Sequence, residues 1–211
     1  MSIGLPRPLF STAYLPSILY MAHLCRYPSV DIEVKETFPK QTFRNRAVIA
    51  TGNGLQTLTV PVVRTQGNHT RTEEIAISYN EPWNVRHWRA IVSAYNAAPF
   101  FLYYRDGIEA ILMRRHERLI DLNNDMLCLL LKRLKFTCTA QPTQDFTPPL
   151  SHPADYRNAL TSKHPITDCP FPPYSQTFDT RYGFLPNLSV LDLLFNLGPE
   201  AKDYLLRLNI P

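Results

Sequence analysis

"PLFSTAYLPSILYMAHLCRYPSVDIEVKE", residues 8–36, decides the fold class, because two strand-like runs flank a helical spacing within it. The opening run, residues 8–16, is apolar and aromatic enough for a buried strand ending near Pro16. Ile18, Leu19 and Ala22, joined by Met21 or Cys25, then stand at helical spacing. In residues 30–36, Val30, Ile32 and Val34 alternate with charged residues, which is the period of a half-exposed strand. Together they predict a β-α-β unit.

Working outward, residues 46–63 (RAVIATGNGLQTLTVPVV) carry two β-rich runs around Gly52-Asn53-Gly54. Asn-Gly accepts the positive φ that tight hairpin turns require, so a hairpin is expected there. EEIAIS, residues 73–78, reads as a further strand. Helical spacing takes over at Trp88, Ile91, Val92 and Tyr95, with Pro82 suited to a first turn. Between 108 and 134 apolar positions repeat at Ile111, Leu112, Leu119, Leu122, Met126, Leu127, Leu130 and Leu134. One long helix, or two broken near 116–121, would satisfy them. The run closes on Lys132, Arg133 and Lys135, cations favourable at a helix C-terminus.

Residues 141–173 hold eight of the 19 prolines and little periodicity. So long a stretch without regular spacing predicts a functional loop, in its sharper form a lid, tied to the body by Phe146, Tyr156, Phe171 and Tyr174. Ser189 and Asp192 then make a capping-box-like helix start, Gly198 a stop, and Pro199 a second start. The expected class is α/β: a mixed sheet with an N-terminal β-α-β unit and a hairpin, then a helical half and a proline-rich loop. One domain over residues 1–211 is expected: a sheet-rich part (1–80), a helical part (81–136), the proline-rich segment (137–188) and C-terminal helices (189–211).

With 45% hydrophobic and 19% charged residues, the composition is that of a folded globular chain. A net charge of +4 is too mild to call for nucleic acid, and the cations are local. From Lys35 to Arg46 there are four against one Glu, which suits a small anionic ligand. The apolar run Leu9–Cys25 is broken by Pro16, contains His23 and lacks a small-residue cleavage site, so it is expected to be the first strand and helix, not a leader. Cys25, Cys128, Cys138 and Cys169 show no C-x-x-C pair and no zinc spacing. Free thiols in the cytoplasm, no metal and no transmembrane segment are therefore expected.

Arg44-Asn45-Arg46 precedes the first hairpin strand, and two guanidiniums can grip phosphate or carboxylate bidentately. The same residues would equally make a solvated basic turn. His87 lies at the edge of the apolar helix face, placed either as a base with pKa near neutrality or as a packing histidine. No G-x-S-x-G, G-x-G-x-x-G or P-loop is present, so an enzyme built on this chain would draw its nucleophile from the substrate. Between 173 and 196, Tyr174, Gln176, Arg181, Tyr182 and Asn187 could hydrogen-bond and cover a sugar, or seal the core as a structured loop.

STAYLPSILYMAHL, KQTFRNRAVI, LTVPV, WNVRHWRAIVSAYNAAPFFLYY and YSQTFDTRYGFLPNLSVLDLLFNLGP, in this order and over most of the chain, resemble the WbqC-like family, its Bacteroidetes-type branch in particular. The resemblance places the family's Tyr-x-Pro on Tyr14 and Pro16, its Asn-Arg on Asn45 and Arg46, its helix histidine on His87 and its Tyr-x-Gln on Tyr174 and Gln176. Many members carry Gln-Pro where this chain has Thr12-Ala13. It implies an acyl or aminoacyl (glycine) transferase acting on an amino sugar in O-antigen-like surface polysaccharide biosynthesis. The alternative is a non-catalytic accessory that binds a sugar or nucleotide-sugar. Expected partners are a nucleotide-linked amino sugar, an activated acyl donor and a carrier protein, with the cofactor unknown. His87 is the expected catalytic residue. Tyr14, Lys40, Arg44, Asn45, Arg46, Tyr95, Tyr174, Gln176 and Asn187 are the expected substrate-binding set.

Overall fold

The structure, a computed structural model, describes residues 7–40, 42–149, 151–157 and 170–210. β1 (Leu9–Ser11), α1 (Ile18–Leu24) and β2 (Ser29–Glu33) form the expected unit, with β1 and β2 parallel in the register Leu9↔Asp31 to Ser11↔Glu33. β1 stops well short of Pro16. The Tyr14 amide turns away to the Phe43 carbonyl at 2.9 Å, and Leu15 takes a positive φ of 41°, so the chain bends into α1. Ser17 caps that helix, its hydroxyl accepting from the Tyr20 amide, and every residue of the helix is buried. A helix apolar on all sides belongs inside a core, which is where α1 lies.

β3 (Arg46–Thr51) and β4 (Gly54–Thr59) make the hairpin, paired from Arg46↔Thr59 to Thr51↔Gly54. Gly54 holds φ at +97°, but Asn53 does not take the positive φ expected of an Asn-Gly centre: Gly52 and Asn53 form the turn, and the left-handed position falls on Gly54 at the start of β4. β5 (Val62–Val63) and β6 (Ala76–Ile77) form a second short antiparallel pair. Among the described residues the parallel and antiparallel strands lie in separate small sheets, not in one continuous sheet.

The helical half holds α2 (Trp83–Tyr95), α3 (Phe101–Met113) and α4 (Leu119–Arg133), so the 108–134 pattern resolves as two helices. The break at 114–118 has a cause in the sheet. The Ile77 amide donates to the Glu117 carbonyl and the Leu119 amide to the Ile75 carbonyl, both at 2.9 Å, drawing the connector out alongside β6. That segment is committed to strand-like pairing and cannot stay helical.

The proline-rich segment contains a strand that its composition hides. β7 (Thr139–Pro142) pairs parallel with β2, Ser29↔Thr139 to Ile32↔Pro142, and gives the sheet order β1-β2-β7. As an edge strand it tolerates Pro142, which has no amide proton to offer. Tyr156 stacks on Phe10 with centroids 5.0 Å apart, and Phe171 and Tyr174 pack on the core, whereas Phe146 is half exposed. The centre of the expected lid, 158–169, and Cys169 lie outside the described residues. Cys25, Cys128 and Cys138 are free thiols.

α5 (Asp179–Tyr182), α6 (Val190–Leu197) and α7 (Ala201–Arg207) complete the chain. α6 passes through the core: Phe195 meets Tyr95 at 5.2 Å and Phe101 at 5.1 Å. Truncating one of its fully buried leucines, Leu194→Ala for example, would cost about 2–5 kcal/mol. No helix among the described residues is long and apolar enough to cross a membrane.

Candidate functional site

Two polar clusters gather the sequence-derived candidates, one at each end of α2. The first surrounds the start of β3. Arg44 is 2% exposed and its guanidinium is consumed by Glu36, with Nε 2.8 Å and Nη2 2.6 Å from Oε1. Burial raises the Glu36 carboxyl, and Arg44 pulls against that rise. Asn45 is also structural: its Nδ2 donates to the Val60 carbonyl at 2.9 Å, and its own carbonyl accepts from the Val60 amide. The segment is held from behind by Asn123, whose Nδ2 donates to the Arg44 carbonyl (2.8 Å) and to Thr12 Oγ1 (3.0 Å).

Arg46 differs. Its Nε is buried without a hydrogen-bond partner, and among the described residues it forms no ion pair. The residue as a whole is half-buried, and the desolvated Nε–H is incomplete without an acceptor. Lys40, earlier in the same segment, is exposed. Of the four cations between Lys35 and Arg46, Lys35 is paired with Glu73 and Arg44 with Glu36, which leaves Lys40 and Arg46 without an ion pair among the described residues.

His87 projects from the first half of α2 against Tyr14, whose hydroxyl is 2.9 Å from Nδ1 with both side chains buried. Trp83 covers the pair, its ring 5.1 Å from the imidazole and 6.4 Å from the Tyr14 ring. Burial lowers the imidazole to about 4, with the Thr59 backbone opposing the shift. Thr59 is the β4 residue opposite Arg46, so the imidazole meets the hairpin backbone at the pair that opens it.

The second cluster centres on Asp192, 1% exposed on α6. Tyr174 donates its hydroxyl to Oδ1 at 2.7 Å, and Gln176 Nε2 donates to the same atom at 3.0 Å. The Tyr95 hydroxyl interacts with this carboxylate too, without the geometry of a full hydrogen bond. Burial raises the carboxyl, and the donors from Tyr174 and Gln176 oppose it. Gln176 also spans its own loop, giving Nε2 to the Leu185 carbonyl and accepting the Leu185 amide at Oε1. Asn187 stands apart from this carboxylate: at φ 52° it accepts the Leu19 amide at 3.0 Å and so caps α1 beside Ser17.

Sequence reasoning passed over three residues that the structure makes central. Asp192 was read as a capping residue, yet the helix is capped by Ser189 and the carboxylate points inward to Tyr174 and Gln176. Glu33, 0% exposed at the end of β2, accepts from the Lys35 amide, Thr143 Oγ1 and the Thr147 amide at 2.8–3.0 Å, and from Arg157 at 3.4 Å. Arg157 is bound in turn by Asp155. Nothing in the sequence set Glu33 apart from Asp31 and Lys35, the other charged residues that alternate with Val30, Ile32 and Val34. Among the described residues no three His, Cys, Asp or Glu side chains gather as a metal site would require.

Residues 12–158 match the WbqC-like protein family, and the chain belongs to that family. It is similar to the uncharacterized protein Rv1507c of Mycobacterium tuberculosis (strain ATCC 25618 / H37Rv), 31% identical over 193 residues that cover 80% of this chain and 83% of that protein. No solved structure matches it. Within the match fall Tyr14, the 44–46 segment and His87, whereas Tyr174, Gln176 and Asp192 lie beyond it.

Proposed function

We propose that the protein holds the phosphorylated part of a nucleotide-linked amino sugar or of an activated acyl donor at Arg46, and transfers an acyl or aminoacyl group, glycine in the reading the family suggests, onto the sugar amine. Surface polysaccharide of the O-antigen type is the product class. The observation that carries the reading is the buried, unpartnered Nε of Arg46 beside an Arg44 already neutralised by Glu36. In this reading Arg46 and Lys40 neutralise the phosphate, the sugar amine attacks the activated carbonyl, and as the C–N bond forms the bond from that carbonyl to the donor's phosphate or thiolate breaks and the donor leaves as the anion. His87, uncharged at neutral pH, accepts the amine proton.

One observation favours the second reading, a non-catalytic accessory that binds the sugar nucleotide. An imidazole lowered to about 4 and tied to Tyr14 is a weak proton acceptor. The two readings part in one experiment. Purified protein is screened by thermal shift against nucleotide-linked amino sugars, pyrophosphate and coenzyme A, and the same mixtures are searched by mass spectrometry for N-acylated sugar. A ligand at about a hundred times its Kd stabilises the fold by about 2.7 kcal/mol. A shift lost in Arg46→Ala, together with acylated product, supports transfer. The same shift without product from any donor supports the accessory. A shift indifferent to Arg46→Ala sinks both.

A further inference from the structure

Where the start of α3 meets the end of α4, Phe100, Tyr103, Tyr104, Lys132, Arg133 and Lys135, together with Pro199, line an open pocket of about 500 Å³. This volume is within the range of small-ligand sites. Two residues here break local folding rules, one behind the lining residue Arg133 and one in the lining itself.

The first is Gly107, in the interior of α3, where glycine is about 1 kcal/mol less favourable than alanine. The close approach of α4 explains it. A Cβ at this position would meet Leu129 at 3.2 Å and the Arg133 guanidinium at 3.5 Å. The missing side chain lets Arg133 lie across α3 at the pocket wall.

The second is Lys135. α4 ends in the two hydrogen bonds of a Schellman turn, Phe136 amide to Leu131 carbonyl (2.9 Å) and Lys135 amide to Lys132 carbonyl (3.2 Å). Glycine is the usual residue at the left-handed position of that turn, yet Lys135 occupies it at φ 58°. Lys202 supports the strained peptide by donating Nζ to the Lys135 carbonyl at 3.0 Å. A cation kept where glycine would be more stable points to use of the side chain.

No carboxylate lines the pocket, and among the described residues Lys132, Arg133 and Lys135 form no ion pair. Of the other arginines on the same two helices and their connector, Arg105 pairs with Glu109, Arg114 with Asp125 and Arg118 with Asp121, while Arg115 lies over the Tyr79 ring at 4.9 Å. Beside the three unanswered cations stands the Tyr103 ring, 82% exposed and free to stack on a flat partner. The floor is firm, since the Phe100 ring sits where Gly198 leaves no room for a Cβ and the Phe100 amide is bonded to the Phe195 carbonyl.

We propose that this pocket is a binding site for a nucleoside diphosphate, its phosphates on Lys132, Arg133 and Lys135 and its base on Tyr103. The site is built from elements other than those around Arg46 and stands whether or not that reading does.

Isothermal titration of the full chain with uridine and adenosine diphosphates, and with pyrophosphate, tests it. Lys135→Gly should weaken all of these ligands, the nucleotides by about tenfold or more, while raising the melting midpoint by about 2–4 °C through relief of the backbone. Tyr103→Ala should weaken the nucleotides and spare pyrophosphate, at little cost to the fold. The proposal is overturned if none of these ligands binds, or if Lys135→Gly stabilises the chain and leaves affinity unchanged. It is equally overturned if nucleotide binding is lost in Arg46→Ala and kept in both pocket variants. Capture by phosphatidylglycerol vesicles that Tyr103→Ala abolishes, without nucleotide binding, would make the surface a lipid contact instead.

Discussion

The Tyr14 hydroxyl and His87 Nδ1 stand 2.9 Å apart in the interior, joining the bend after β1 to the first half of α2. Neither group has water to fall back on. Tyr14→Phe would leave the imidazole nitrogen without its partner and should cost about 1–3 kcal/mol in urea unfolding. A loss well under 1 kcal/mol would mean that the pair contributes nothing to the fold.

The same histidine sets a pH dependence. Folded, it is lowered to about 4; unfolded, it returns to about 6.5, so the unfolded chain binds the extra proton between those values. Stability is therefore complete above about pH 6.5 and declines as pH falls towards 4, by about 2–3 kcal/mol from this residue. His23, lowered to about 4 by burial and then by Arg26, declines in the same window. Urea midpoints followed from about pH 7 to about pH 4 should fall more gently in His87→Gln than in the parent chain.

Glu36 and Arg44 illustrate how one-sided a buried pair can be. Removing the carboxylate strands a guanidinium that is 2% exposed, so Glu36→Ala should cost about 3–5 kcal/mol. Replacing both partners with apolar residues should cost less than replacing one. Double-mutant unfolding measures the difference, and additive losses would refute the coupling.

Arg46 should behave in the opposite way to its neighbour. With no partner to orphan, Arg46→Met should change stability by less than about 1 kcal/mol, or raise it, since a buried unsatisfied nitrogen disappears. Denaturant midpoints decide this, and a large loss would show that Arg46 is structural after all.

At Asp192 the choice of substitution matters. Asp192→Asn keeps an acceptor for Tyr174 and Gln176 and turns an amide towards Tyr95, so it should cost under about 1 kcal/mol. Asp192→Ala leaves the buried Tyr174 hydroxyl without its acceptor, while Gln176 keeps the Leu185 carbonyl, and should cost about 2–4 kcal/mol. Equal losses in the two variants would mean that the network is not held by hydrogen bonding.

What could be read from the chain beforehand were features that local chemistry dictates. The hairpin at Gly52-Asn53-Gly54, the Trp88, Ile91 and Tyr95 face and the Ser189 cap all depend on residues a few positions apart. What escaped depends on partners distant in sequence. β7 was hidden because TAQP is a strand only beside β2, to which it supplies an edge. The charge of Arg44 suggested a ligand contact because nothing local marks Glu36 as its counter-ion at 2.6 Å. Asp192 fits a cap by spacing, and its inward turn follows from Tyr174 and Gln176 arriving on another loop. Which of the cations between Lys35 and Arg46 lacks an ion pair is a question of pairing that spacing does not answer.

The pairing of Ser29 with Thr139 also bears on the order of assembly. A parallel strand drawn from so far along the chain must wait until its ends are brought together, and that loop-closure entropy is paid before the ladder returns anything. The β3–β4 hairpin has no such delay, since its strands are separated by a two-residue turn. Refolding should therefore protect the hairpin amides early, with β2 and β7 closing in the slow phase, as pulsed hydrogen exchange would resolve. Until that last strand docks, Glu33 lacks Thr143, Thr147 and Arg157 as partners, so the arrival of β7 and the quenching of a lone buried charge are a single event.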